Sequence, residues 1–183
     1  FSTVLLLTFC IIMFNSFYQD EKEYLIKDLL IREELIAKQA VKGIQNNFDN
    51  WISILLQMAK NENIQIMNKE GENNLIFAFN NQKKHLRAIT RVDENGNILF
   101  TYPSNPKAIG SNISQQKHMQ EILNKHQIVI SDVFFAVQGY QAVAIHVSIF
   151  EKGKFVGTLA FVVDFKNISK TYLDDIRIGQ SGH

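Results

Sequence analysis

Hydrophobic positions along this chain change period twice, and the changes divide it into three stretches. Residues 1–18 (FSTVLLLTFCIIMFNSFY) are mostly apolar and carry no charge. As a helix rising 1.5 Å per residue they span about 27 Å, close to the ~30 Å hydrocarbon interior of a bilayer, which predicts a transmembrane anchor. A cleaved signal peptide would also use such a stretch. However, no small-x-small site follows Met13, and Phe17 and Tyr18 read as interfacial aromatics. The sequence starts at Phe1 with no basic flank, so an N-terminal piece is expected to precede it and charge asymmetry does not set its orientation.

Over residues 19–60 the pattern turns helical, with no proline, one glycine (Gly43), and abundant Glu, Lys, Leu, Ile, Ala and Gln. Ala37, Val41, Ile44, Phe48, Trp51, Leu55 and Met58 recur at alternating steps of four and three, a heptad seam. Phe48 and Trp51 are bulky for a two-stranded coiled coil, so their half is expected to pack on the chain's own sheet. The upstream half, with Leu25, Leu29 and Ile36, is expected to pair with a second copy in a homodimer. Residues 61–81 are polar and rich in Asn, which predicts a turn and a shorter, irregular helix.

After Lys84 the period falls to near two. Segments 85–92 and 97–102 flank Asp93-Glu94-Asn95-Gly96, and an Asn-Gly pair supplies the positive φ values that a tight hairpin needs. A loop over 103–112 leads to a helix over 114–125, with Ser114 as its cap. Strands over 128–135, 141–150 and 154–164 follow, and a helix over 166–176 closes the unit. The pattern predicts an α+β fold in which the long N-terminal helix packs on a five-stranded antiparallel sheet. Alternation on the fourth strand sends Val143, Ile145, Val147 and Ile149 towards that helix. Ala142, Ala144, His146 and Ser148 face the other way, beside Thr158, Ala160, Val162 and Asp164 of the next strand, and both rows can line one cavity.

Composition removes several functional classes. Nineteen basic and 18 acidic residues nearly cancel, so nothing gathers nucleic acid over long range. Cys10 is the only cysteine, which excludes an intrachain disulfide, a zinc-thiolate site and a Cys-x-x-Cys-His haem attachment. His118, His126 and His146 lack metal-ligand spacing, so no metal and no cofactor are expected. No nucleophile with a base, phosphate-cradling loop or paired carboxylates appears, so no catalytic residue is assigned.

The candidate chemistry is that of binding. His118 and His146 are suited to exchange hydrogen bonds with a small polar ligand, and Asp164 to accept from an ammonium or hydroxyl group. Ala144 leaves space beside them, and Phe134 and Tyr140 can form walls. Each residue also has a plainer use: His118 capping local backbone, His146 facing water, Asp164 capping the helix after it, and the aromatics filling core.

The run AITRVDENGNILFTYPSNPKAIGSNISQQKHMQEIL, followed by IVISDVFFAVQGYQAVAIHVSIFEKGKFVGTLAFVVDF, resembles the membrane-distal module of a double Cache sensor. Such modules are PAS-like extracytoplasmic ligand-binding regions of bacterial receptors. The matching elements are the Val-Asp-x-x-Gly hairpin, the turn from Ile109 to Ser114, His118, Ser131 to Phe134, the Gly139 turn, Gly157 and Asp164. A helix position often held by Arg in carboxylate-binding members is Gln116 here, so a bidentate grip on a free carboxylate is not expected.

The resemblance implies residues 1–18 as anchor, 19–60 as signalling and dimerisation helix, and 61–176 as sensor module. Residues 177–183 then begin a truncated second module. It implies an extracytoplasmic receptor region in the cell membrane, with a small-molecule ligand held by Gln116, His118, Phe134, Tyr140, Ala144, His146 and Asp164. A cytoplasmic histidine kinase of a two-component system would follow, or else a chemotaxis transducer or a diguanylate cyclase. Two alternatives stand beside it: a ligand-independent dimerisation module on a membrane, and a pH sensor built on His146 and Asp164.

Overall fold

The structure is a computed structural model that describes residues 2–137, 139–164, 166 and 170. Helix α1 (Ser2–Met58) is followed by α2 (Glu62–Gln65), α3 (Lys69–Gln82), β1 (Ala88–Val92), β2 (Ile98–Tyr102) and α4 (Lys117–Lys125). Strands β3 (Val129–Ile130), β4 (Phe134–Phe135), β5 (Gln141–Glu151) and β6 (Lys154–Asp164) complete the order. The chain divides into two compact units, the first holding residues 1–42 and the second residues 43–175.

In the first unit the helix is exposed throughout the described positions of its apolar stretch, from Leu6 to Tyr18, and again at Leu25, Leu29 and Leu30. Among the described residues no helix is long and apolar enough to cross a membrane. The anchor expected over 1–18 is therefore not shown. Phe1 and the side chains at 2, 4 and 5, which belong to that stretch, lie outside the described residues.

In the second unit the heptad seam is used from Phe48 onward. Trp51 and Leu55 are buried, with Phe48 and Met58 packed against the same cluster. Full burial of a large apolar side chain contributes about 1.5–3 kcal/mol, so Trp51 and Leu55 are the main attachment of the helix end to the sheet. Ile145, Val147 and Ile149 of β5 meet them there, joined by Ile89, Leu159, Phe161 and, from α3, Leu75 and Phe79. The branched face of β5 thus takes the helix, as its alternation predicts.

The sheet is antiparallel in order β2-β1-β6-β5-β3, with β4 also on β5, which makes six strands where five were expected. The extra one arises because the segment expected over 128–135 is broken. Ser131 donates its N–H to the Ala144 carbonyl (2.9 Å), but its own Oγ accepts the Ala144 N–H (2.8 Å). The side chain replaces the backbone acceptor, and Ser131, Asp132 and Val133 lie opposite only Val143 and Ala144 before pairing resumes. The helix expected over 166–176 and the segment over 177–183 lie outside the described residues, apart from positions 166 and 170, which are helical.

One charged side chain sits in the helix-facing core. Arg91 of β1 is 1 % exposed, and among the described residues it has no carboxylate within ion-pair distance. It donates instead to the backbone carbonyls of Ile64 (3.4 Å), Gln65 (3.2 Å), Val156 (2.9 Å) and Val92. Burial lowers its pKa to about 10, against the pull of Asp93 and Glu94, and it stays charged at neutral pH. Gly157 makes room for it: φ is +121°, and a Cβ there would lie 2.1 Å from the Val92 carbonyl oxygen and 2.5 Å from the Arg91 Nη1. Gly157→Ala is expected to cost on the order of 3 kcal/mol or more, read as a lowered urea midpoint. An unchanged midpoint would show that β6 relaxes there freely.

Candidate functional site

The second face of the sheet is covered by the loop after β2, by α4, and by the turn between Ala136 and Tyr140. Residue Asp93 starts this arrangement. Its Oδ1 accepts from the N–H groups of Asn95 (2.9 Å) and Asn97 (2.7 Å), and its Oδ2 from Asn97 Nδ2 (2.8 Å). The hairpin is thereby fixed, and Gly96 takes φ +87°. Gly96 also lets the chain return across it, since a Cβ would lie 2.7 Å from that of Ser114. Backbone bonds from Ile98 to Ser111, Gly110 to Ile98 and Ile113 to Gly96 then stitch the loop onto the hairpin. Helix α4 begins at Lys117 and not at 114. Ser114 is bonded to Asn112 Oδ1 (2.6 Å), and Gln116 is the N-cap residue without a side-chain cap bond.

This packing leaves a hollow. Its sheet floor is one row across the strands, Thr90, Ala160 and His146, flanked by Ala144 and Val162 of the next row. Gln116 and His118 enter from α4, Phe134 from β4, and Ala136 and Val137 from the turn. It is small, with about 30 Å³ open to the centre of a water-sized sphere. An outer cleft of about 370 Å³ adjoins it and shares Gln116, His118 and Phe134 as lining. Lys117 reaches Asp132 at 2.6 Å among the cleft residues, and both side chains are largely exposed. Such a surface pair is worth little and opens readily.

Five of the seven expected residues therefore meet at one place: Gln116, His118, Phe134, Ala144 and His146. Tyr140 and Asp164 do not line it. Tyr140 packs on the Ala88, Ala136, Ala142 and Val162 cluster with the Arg87 guanidinium 5.1 Å from its ring centroid, and burial raises its pKa to about 12. Asp164 shares the face of Ala144 but pairs opposite Ala142, and its Oδ1 accepts the Lys166 N–H at 2.9 Å. That carboxylate bonds local backbone and does not reach the hollow. Thr90 was not among the expected residues, although the alternation of Ala88, Thr90 and Val92 on β1 carries the signal for it.

The two histidines form a buried pair with ring centroids 5.2 Å apart, and His118 lies 4.5 Å from the Phe134 ring. His146 Nδ1 meets Thr158 Oγ1 at 3.2 Å. Burial pushes the His118 pKa down to about 4, and burial together with the neighbouring His118 pushes His146 down to about 3. Both rings are neutral at physiological pH, so each can present one donor and one acceptor nitrogen.

An antiparallel sheet with a helical layer on one face and a roofed hollow on the other defines a sensor-type α+β domain. A sequence profile described as HK/GC/Chemotaxis protein-like, sensor domain, matches residues 55–164, and the chain belongs to that family. Its fold is similar to an extracellular ligand-binding receptor from Desulfohalobium retbaense (TM-score 0.65, 20% identity, covering 74% of this chain and 25% of that one). It is also similar to the sensor domain of the V. cholerae histidine kinase DctB (TM-score 0.65, 12% identity, 80% and 60%). The ligand-binding domain of the Campylobacter jejuni chemoreceptor Tlp3, in complex with L-norvaline, is a third (TM-score 0.60, 15% identity, 79% and 61%). This chain spans less than two thirds of each. No curated protein sequence matches it.

The unfolded chain protonates histidine near pH 6.5, whereas the folded chain resists it down to about 4 and 3. The unfolded state then binds more protons, so stability is full above about pH 6.5 and is lost as pH falls towards those lower values. Melting temperature is expected to drop between pH 7 and 4.5, and His146→Gln to flatten that drop. A profile unchanged by the substitution would remove this pair as the cause.

Proposed function

We propose that this chain is the extracytoplasmic solute-sensing region of a bacterial membrane receptor. The observation that carries the reading is the hollow on the second sheet face, enclosed by α4, β4 and the 136–140 turn. Family membership supports it, as do chemoreceptor neighbours described with L-norvaline, GABA or L-serine bound. Residues 1–18 anchor the region in the cell membrane, and two copies pair through the upstream part of α1. A solute held by Gln116, His118, Phe134, Ala144 and His146 favours one of two packings between sheet and helix, and α1 carries that change to a cytoplasmic output domain. A histidine kinase is the leading candidate for that output, ahead of a chemotaxis transducer or a diguanylate cyclase.

The full chain in detergent micelles, screened against a small-molecule library by thermal shift, is expected to yield compounds that raise the melting temperature by several degrees. Ala144→Leu, which fills the hollow, should abolish the shift. A library without a hit, together with unaltered receptor output in cells carrying His146→Ala, would sink the sensing reading.

A second reading, assembly without a ligand, has the exposed apolar row of α1 in its favour, Leu25, Leu29 and Ile36 among it. It requires tight dimers in sedimentation whatever solutes are present.

A further inference from the structure

Resting on the solute-binding reading, we propose that the ligand of the hollow is a small uncharged molecule with hydrogen-bonding groups, such as a primary amide or an alcohol. Amino acids, carboxylates and amines are excluded by the same lining. The floor is Thr90, Ala144, Ala160 and His146, and among the described residues no ionised side chain lines the space. A carboxylate or ammonium entering it would leave water without gaining a counter-charge, which is costly even when hydrogen bonds are made. A neutral amide or hydroxyl meets no such penalty.

The charged groups of the surrounding elements lie outside the lining of the hollow. Lys117 of α4 is bonded to Asp132 at 2.6 Å among the residues of the outer cleft, which also holds Glu121. Arg87 lies on the Tyr140 ring, and Asp164 takes the Lys166 N–H. Arg91 belongs to the opposite face, spent on backbone carbonyls. On the hollow face of β1, β5 and β6, the polar groups that line the space are the Thr90 hydroxyl, shared with Thr101 at 3.2 Å, and the His146 ring.

Open hydrogen-bonding capacity is nonetheless present. The Gln116 amide and the His118 ring make no side-chain hydrogen bond among the described residues. His146 is bonded through Nδ1 alone, which leaves its Nε2. Two neutral imidazoles and one primary amide offer both donors and acceptors, the complement of a ligand that also has both and carries no charge. Size agrees: the hollow holds about 30 Å³ for the centre of a water-sized sphere and extends one sphere radius further on every side. A ligand of about six heavy atoms matches a space of this kind.

The test uses four molecules with the same four-carbon chain and different charge, titrated calorimetrically into the full chain in detergent micelles: butyramide, butyrate, n-butylamine and L-2-aminobutyrate. Butyramide is expected to bind at least tenfold more tightly than each charged counterpart. Its affinity should change less than threefold between pH 6 and 8, because a neutral ligand leaves both rings in their existing protonation state. An anion, by contrast, would need a protonated ring and would gain up to tenfold per unit as pH falls. Ala144→Val should abolish butyramide binding, and Gln116→Leu at the rim, which leaves the floor intact, should weaken it about tenfold. A charged counterpart that equals butyramide overturns the inference but leaves the solute-binding reading standing. Failure of all four to bind also overturns it, and the reading itself is then decided by the thermal-shift library. Butyramide binding that survives both substitutions moves the site elsewhere and overturns it as well.

Discussion

A guanidinium without a carboxylate holds this fold together. Arg91 stands on the helix-facing side of β1 and gathers carbonyls from α2, from β6 and from its own strand. Ile64 and Gln65 lie at the C-terminal end of α2, where backbone oxygens have no helical partner and carry the negative end of the helix dipole. One buried cation thus satisfies a helix end and fixes its distance from the sheet. The arrangement has a steric condition, met at Gly157, where any side chain would meet the Val92 carbonyl. Around this polar centre the apolar side chains of α1, α3 and β5 close out water. A carboxylate partner would have neutralised the charge but bound only one point, whereas carbonyls from three elements position all three.

With that side fixed, the opposite face is free to be imperfectly filled. Two apolar clusters cover it, one under α4 and the loop, the other under the 136–140 turn, and the hollow lies between them, lined by Ile98 and Ile113 of the first and by Ala136 and Val162 of the second. Small residues on the floor and a pair of neutral imidazoles keep this gap polar without charging it. The division of labour is clear in β5: its odd-numbered residues from 145 to 149 build the core, and its even-numbered neighbours 144 and 146 build the site.

Much of this was legible in the chain because alternation is a backbone property. Once β5 and β6 are recognised as strands, the faces of Ile145 and His146 follow without further information. The Asn-Gly hairpin was legible for the same local reason. What escaped the sequence depends on partners distant along the chain. Asp164 shares the correct face, but its rung lies opposite Ala142, and register is set by β5 and the bulge between Ile149 and Phe150. Tyr140 was read as a wall, yet its ring is held by Arg87 across the sheet. Arg91 carries no signal of its burial, since a basic residue in a strand reads as solvent-facing unless the carbonyls of α2 lie around it. The break at Ser131 is invisible too, because a hydroxyl accepting a strand N–H leaves no compositional mark.

That break has a bearing on solubility. The outer rim of the sheet beyond β5 is two strands of two residues each, parted by Ser131, Asp132 and Val133, with the apolar side chains of Ile130, Val133 and Phe135 exposed along it. An unbroken ladder of that composition would invite a neighbouring chain to add a strand. Interrupted as it is, with Asp132 placed at the gap, it offers no run of free amides long enough for another chain to align. The opposite rim is covered at its first residue, where the loop after β2 folds back and occupies both backbone groups of Ile98. Addition of a further strand is thus hindered at the broken rim and at the first residue of β2, although greasy side chains surround the mouth.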